Sequence, residues 1–170
     1  MPRYLPICGN QIRAARAILR WSVKDLSRAS GVEISAIEAT EAAGDMYDAH
    51  DGVVITLSIA FLSHTVRFTP GCGVEYPYSC RWKRINGLTP ATCRAARALI
   101  GWRQDQLSES ASVNRLTIAA YERGQDGARM RRVNADPVMH TFERVGLEFI
   151  PTNGAGVLEW TGVRLRPQGY

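Results

Sequence analysis

The segment Arg13-Ala-Ala-Arg-Ala17 returns as Arg94-Ala-Ala-Arg-Ala98, a displacement of 81 residues. The same displacement carries Trp21 onto Trp102, Leu26-Ser27 onto Leu107-Ser108, Val32 onto Val113, Ile37 onto Ile118, Glu41 onto Glu122, Phe68 onto Phe149, Pro70 onto Pro151 and Gly73 onto Gly154. The chain is a tandem duplication. Positions the copies share are expected to be scaffold, and positions where they differ are where function is expected. The repeat divides the 170 residues into two units, expected at 1–84 and 85–170. Each is near the small end of what folds alone, so contact between them would stabilise both.

In copy two, Thr89-Pro90 reads as an N-cap with proline at the first helical position, and the helix through Cys93, Ala96, Leu99 and Ile100 is stopped by Gly101. A short second helix, Trp102 to Ser110, is anchored by Leu107; a third starts after the cap Asn114, turns Ile118 and Tyr121 inward and stops at Gly124. The arginine-rich stretch 129–132 leads to a fourth helix from about Asp136-Pro137 to Val145. Strands Leu147 to Ile150 and Gly162 to Arg166 then read as a hairpin. Copy one repeats the plan, with helices near 11–19, 23–30, 34–42 and 51–63 and strands near 65–69 and 79–84. Its fourth helix is apolar on more than one side, which points to burial against another surface: its own core, copy two or a second chain. Trp21 and Trp102 are expected in the core, while Trp82 and Trp160 sit in hairpins. The short linker Arg84-Ile-Asn-Gly-Leu88 argues against widely separated units.

Hydrophobic and charged fractions are those of a globular protein, and the longest apolar run, Val53 to Leu62, is too short to span a bilayer. The N-terminus shows no secretory signal, so a cytoplasmic, nucleoid-associated location is expected. Cys8, Cys72, Cys80 and Cys93 form no C-x-x-C pair, and no histidine is spaced to complete a zinc site, so neither metal nor cofactor is expected. His50, His64 and His140 are far apart in sequence. No glycine-rich phosphate loop or acid–base pair points to an enzyme. A net charge of +5 is compatible with a polyanionic partner without establishing one.

The run Thr89-Pro-Ala-Thr-Cys-Arg-Ala-Ala-Arg-Ala-Leu-Ile-Gly-Trp102, then Leu107, then Val113 to Gly124 closing on Tyr-Glu-Arg-Gly, resembles the Cro/CI (XRE) helix-turn-helix regulators, tandem duplicated here. Gly146-Leu-Glu-Phe-Ile-Pro with Gly-Val-Arg-Leu-Arg166 is similar to the hairpin tail of small bacterial members. The resemblance implies a mainly α fold with small β-hairpins, as two tandem helix-turn-helix, lambda-repressor-like domains. It also implies that the third helix of copy two enters the major groove while neighbouring loops grip phosphate. On that footing Gln104 matches the family's phosphate-contacting glutamine, Asn114 and Thr117 bond phosphate, and Arg115 reaches guanine. Leu116 and Ala120 offer apolar contact to a thymine methyl, and Arg123, Arg129, Arg131 and Arg132 extend the positive edge. Arg103 stands where the family has a serine cap, weakening that helix start.

Copy one departs further. Residues 33–51 carry Glu33, Glu38, Glu41, Asp45, Asp48 and Asp51 with no Lys or Arg, a formal charge of −6, against +3 for the aligned 114–132. Such a face is repelled by phosphate. Val23 replaces the phosphate-contacting glutamine, and Glu33 is a poor cap. The expectation is a DNA-binding regulator, a repressor before an activator, working as a homodimer on double-stranded DNA, with copy two as reader and copy one positioning it or dimerising. The alternative is an antiactivator or co-regulator whose acidic copy-one face holds a protein partner. Both copies reading DNA is the third and weakest reading.

Overall fold

The computed structural model describes residues 7–45, 52–78, 88–124, 129–153 and 159–166. Among them are eight helices and four strands. Copy one supplies α1 (Gly9–Leu19), α2 (Val23–Ser30), α3 (Ile34–Ala42), α4 (Gly52–Ser63), β1 (Arg67–Thr69) and β2 (Gly73–Tyr78). Copy two supplies α5 (Pro90–Leu99), α6 (Gln104–Ala111), α7 (Arg115–Arg123), α8 (Arg132–Arg144), β3 (Leu147–Asn153) and β4 (Glu159–Leu165). None of these helices is long and apolar enough to cross a membrane.

Local signals place the helix ends. Thr89 accepts a hydrogen bond from the Thr92 amide at 3.0 Å, with Pro90 as the first helical residue. Asn114 accepts one from Leu116 at 2.7 Å. Ser22 caps α2 through Asp25, whereas Arg103, at the equivalent place on α6, and Glu33, before α3, make no side-chain cap bond. The core repeats with the chain: Leu26 and Leu107, Ile37 and Ile118, Leu57 and Val138, Phe61 and Phe142, Val66 and Leu147 are equivalent pairs without accessible surface. Trp21 and Trp102 are only partly buried and pack at the core's edge, Trp21 against Phe61 and His64. Trp160 lies under the Arg67 guanidinium, and Trp82 lies outside the described residues.

The repeated Arg-Ala-Ala-Arg-Ala motif joins the copies. Ala14, Ala15, Ala95 and Ala96 are fully buried, and α1 against α5 is the most extensive helix–helix contact among the described residues. Arg13 Nε donates to the Ala98 carbonyl at 2.6 Å, and its equivalent Arg94 donates to the Ala17 carbonyl at 2.9 Å. This reciprocity is that of an isologous dimer interface, here within one chain. The sheet continues it, running β1-β2-β4-β3, all neighbours antiparallel. Phe68 faces Val74 in one hairpin and Phe149 faces Val163 in the other, so the two valines are equivalent. They also face each other across the β2–β4 seam, which places an internal two-fold axis there. Gly73 and Gly162, each preceding its valine, permit the close approach: a Cβ on Gly162 would run into the Val74 carbonyl, and one on Gly73 into Thr69 and Arg164.

Four expectations need correction. The strand of copy one that pairs with β1 is Gly73–Tyr78, earlier than expected; the expected 79–84 lies outside the described residues. Val74 and Tyr76 point inward and Glu75 is more exposed, and the Pro-Gly turn at 70–71 sets the register earlier. The displacement of 81 therefore ends near Pro70: the longer turn of copy two makes Gly73 equivalent to Gly162 instead of Gly154. The fourth helix of copy two begins at Arg132, with Pro137 inside it. The Arg131 carbonyl already accepts from Asn134 and Ala135, and the carbonyl that Pro137 leaves without its helical donor belongs to exposed Val133, where water can reach it. Finally, the hairpins are halves of one sheet rather than separate devices.

α4 settles against α1, α2 and α3 of its own copy, burying Val54, Leu57, Ala60 and Phe61 while Ile59 and Leu62 stay exposed. The expected unit boundary at 84/85 lies outside the described residues.

Candidate nucleic-acid interface

Every arginine of copy two expected at DNA is exposed. Arg115 is the first residue of α7, Arg123 its last, Arg129 and Arg131 precede α8, and Arg132 opens it. Arg132 lies 3.5 Å from Asp136 in a solvent-exposed pair, which salt and water weaken. Leu116 and Ala120 are exposed on the same helix, and Thr117 is half-buried. With Arg129, Met130, Arg131 and Asn134, residues 116, 117 and 120 of α7 border an open groove of about 620 Å³. A second groove, of about 550 Å³, lies between Arg103 and Arg115 with Arg97 and Gln104 on its wall.

Beneath this surface is a buried anchor. Glu122 is 3 % exposed and takes Arg97 by two parallel bonds of 2.6 and 2.7 Å. Gln104 donates to the same carboxylate at 2.7 Å, and the Cys93 thiol reaches it at 3.6 Å. Burial, and then the Glu122 charge, push the Cys93 thiol well above its ordinary pKa, so it stays protonated. Gln104 thus spends an amide hydrogen on holding α6 to α7. Asn114 is exposed and uses its side-chain oxygen as the cap of α7. Arg97 also donates to the Trp102 carbonyl, tying the end of α5 into the same assembly.

Copy one repeats the anchor but not the surface. Arg16 takes Glu41 by two bonds of 2.7 Å and donates to the Trp21 carbonyl. Glu41 is therefore a paired scaffold residue and leaves the acidic face on which it was counted. Glu33, Glu38 and Asp45 are exposed, while Asp48 and Asp51 lie outside the described residues. Where α7 exposes Arg115 and Arg123, α3 exposes Ile34 and Ala42. The contrast in charge survives the removal of both buried glutamates.

Copy one also holds α7 in place. The Arg20 guanidinium donates to the carbonyls of Glu122, Arg123 and Gly124 at 3.2, 3.0 and 2.6 Å, closing the C-terminal end of that helix. Arg20 itself has φ of 58°, where copy two has Gly101 at 71°, a conformation that favours glycine. No sequence signal identified this contact, because it joins residues about a hundred positions apart that do not repeat.

One grouping outside this surface has no signature in the sequence. Cys8, at the N-terminus of α1, lies 3.4 Å from Cys72 in the turn before β2, and an Asp45 oxygen is close to both sulfurs. Spacing in the chain could not reveal it, since its members are separated by 37 and 27 residues. His64 and His140 are exposed and apart from it, and His50 and Cys80 lie outside the described residues. No family model matches the chain, and no curated protein matches it.

Proposed function

We propose that the chain is a DNA-binding transcriptional regulator, a repressor before an activator, in which α6, the turn 112–114 and α7 form a helix-turn-helix reader. The equivalent α2 and α3 form a degenerate second unit that positions it. The supporting observation is the difference in exposed charge between α7 and its equivalent α3: Arg115 and Arg123 on α7, extended by Arg129, Arg131 and Arg132, against Glu33 just before α3 and Glu38 on it. Phosphate neutralisation supplies most non-specific affinity, so only copy two is fitted to lie on a duplex. Arg115 is the base-reading residue of this proposal; Asn114, Thr117, Arg123, Arg129, Arg131 and Arg132 meet the backbone, and Leu116 and Ala120 make apolar contact. Gln104 reaches phosphate only by adding to or exchanging its bond with Glu122.

The acidic residues of copy one leave each chain one reader, so a homodimer on a near-palindrome supplies the second. Mobility shifts with a selected operator and with random duplex test the proposal. Affinity falls steeply with salt, and Arg131→Ala lowers the magnitude of the log–log slope by about 1. Arg115→Ala abolishes specific binding, while Glu33→Ala leaves it intact; equal loss from both overturns the one-reader assignment. A protein-binding antiactivator or co-regulator is the second reading, favoured by the exposed carboxylates of α3. Absence of duplex binding at low salt transfers the assignment to it.

A further inference from the structure

The grouping of Cys8, Asp45 and Cys72 has a donor set, a geometry and a supporting shell that belong together. Its three ligand atoms lie within 4.8 Å of one another, and the two sulfurs are 3.4 Å apart. A disulfide would bring them to about 2.05 Å. Two thiolates on one tetrahedral zinc, at about 2.3 Å each, stand roughly 3.8 Å apart. The observed separation is that of a thiol hydrogen bond, Cys8 donating to Cys72, and lies within about 0.4 Å of the spacing two thiolates take on one ion.

Asp45 is oriented from outside the cluster. The Asn10 amide donates to its carboxylate, and Arg13 donates to the Asn10 oxygen, so Asp45 is tied to α1 by a chain of two hydrogen bonds. The duplicate is a control. Thr89 stands where Cys8 does and caps its helix through its hydroxyl, whereas Cys8 makes no side-chain cap bond. Ala91 stands where Asn10 does, and copy two replaces the tight turn holding Cys72 with a longer connection. Cys72 has φ of 50°, unusual for a residue with a side chain, and that turn brings it to Cys8. Capping and turn-making are served better by other residues, so these functions do not account for the cysteines.

We propose that Cys8, Cys72 and Asp45 bind a divalent ion of the zinc class, leaving a fourth position for water or another donor. The ion ties the start of α1 to the segment after α3 and to the turn between β1 and β2, and is confined to copy one. Binding releases the thiol protons and brings the sulfurs slightly apart onto the metal.

Anaerobic titration of the reduced full-length chain with cobalt(II) tests the site. One equivalent is taken up, with thiolate-to-metal charge-transfer and tetrahedral ligand-field absorption, and zinc(II) bleaches both. Cys8→Ser and Cys72→Ser each abolish the signal, and Cys93→Ser preserves it. Asp45→Asn weakens binding by at least the roughly tenfold that loss of even an outer-shell partner brings. The proposal is overturned by a chain that gives no saturable absorption, by uptake indifferent to Cys8→Ser and Cys72→Ser, or by a Cys8–Cys72 disulfide whose reduction yields no cobalt binding. If circular dichroism shows the serine variants unfolded, Asp45→Asn decides: its side chain is exposed, and unchanged affinity overturns the assignment.

Discussion

Glu122 ties α5, α6 and α7 of copy two together, because one buried carboxylate accepts Arg97 twice, Gln104 and Cys93. Replacing it by alanine leaves the mostly buried Arg97 guanidinium, whose side chain is 16 % exposed at the wall of the open groove, without its carboxylate. Breaking a buried pair on one side costs about 3–5 kcal/mol, so Glu122→Ala lowers the urea midpoint by that equivalent at constant m. Glu41→Ala acts in the same direction but less strongly, since Glu41 and Arg16 are less deeply buried and no glutamine joins them. The two glutamates were legible as a repeated pair at displacement 81, but their partners were not. A carboxylate at a helix end reads as surface charge until an arginine from another helix is packed over it, as Arg16 is over Glu41.

At the scale of elements, helix positions followed from local chemistry. Caps, glycine stops and apolar spacing act within a few residues, and α2 and α3 occupy the expected ranges. Equivalent elements also reveal where copy two has given up stability. Ser22 caps α2, whereas Arg103 at the start of α6 cannot accept the corresponding hydrogen bond. Arg103→Ser restores the cap and raises stability by about 1 kcal/mol, measured by chemical denaturation. On the proposed function the same change removes a cation bordering the Arg115 groove and weakens duplex binding, so stability and affinity move in opposite directions. The strands were harder to place. Cys80-Arg-Trp-Lys83 alternates as a strand should, but Gly73–Tyr78 alternates too, and only the β1 and β4 pairings select it.

For the whole molecule, the β2–β4 seam and the α1–α5 contact make the copies one packed body with a continuous core. Gly162→Val places bulk against the Val74 carbonyl and opens that seam, and overpacking of this kind costs about 1–3 kcal/mol. The expected signature is loss of coincidence between unfolding followed by tryptophan fluorescence and by far-ultraviolet dichroism, as the halves cease to unfold together; coincident transitions at the original midpoint contradict this account of the seam. By itself the sequence determined the duplication, most of the helices, most of the repeated core and the contrast in charge, because these depend on residue identity and on spacing within a few turns. Only the tertiary structure decided that the Arg-Ala-Ala-Arg-Ala motif forms the contact between copies, that Arg20 closes α7, that the hairpins share a sheet, and that Cys8, Asp45 and Cys72 meet. Each joins segments far apart in the chain, and their approach is set by the packing of entire elements, which no local pattern records.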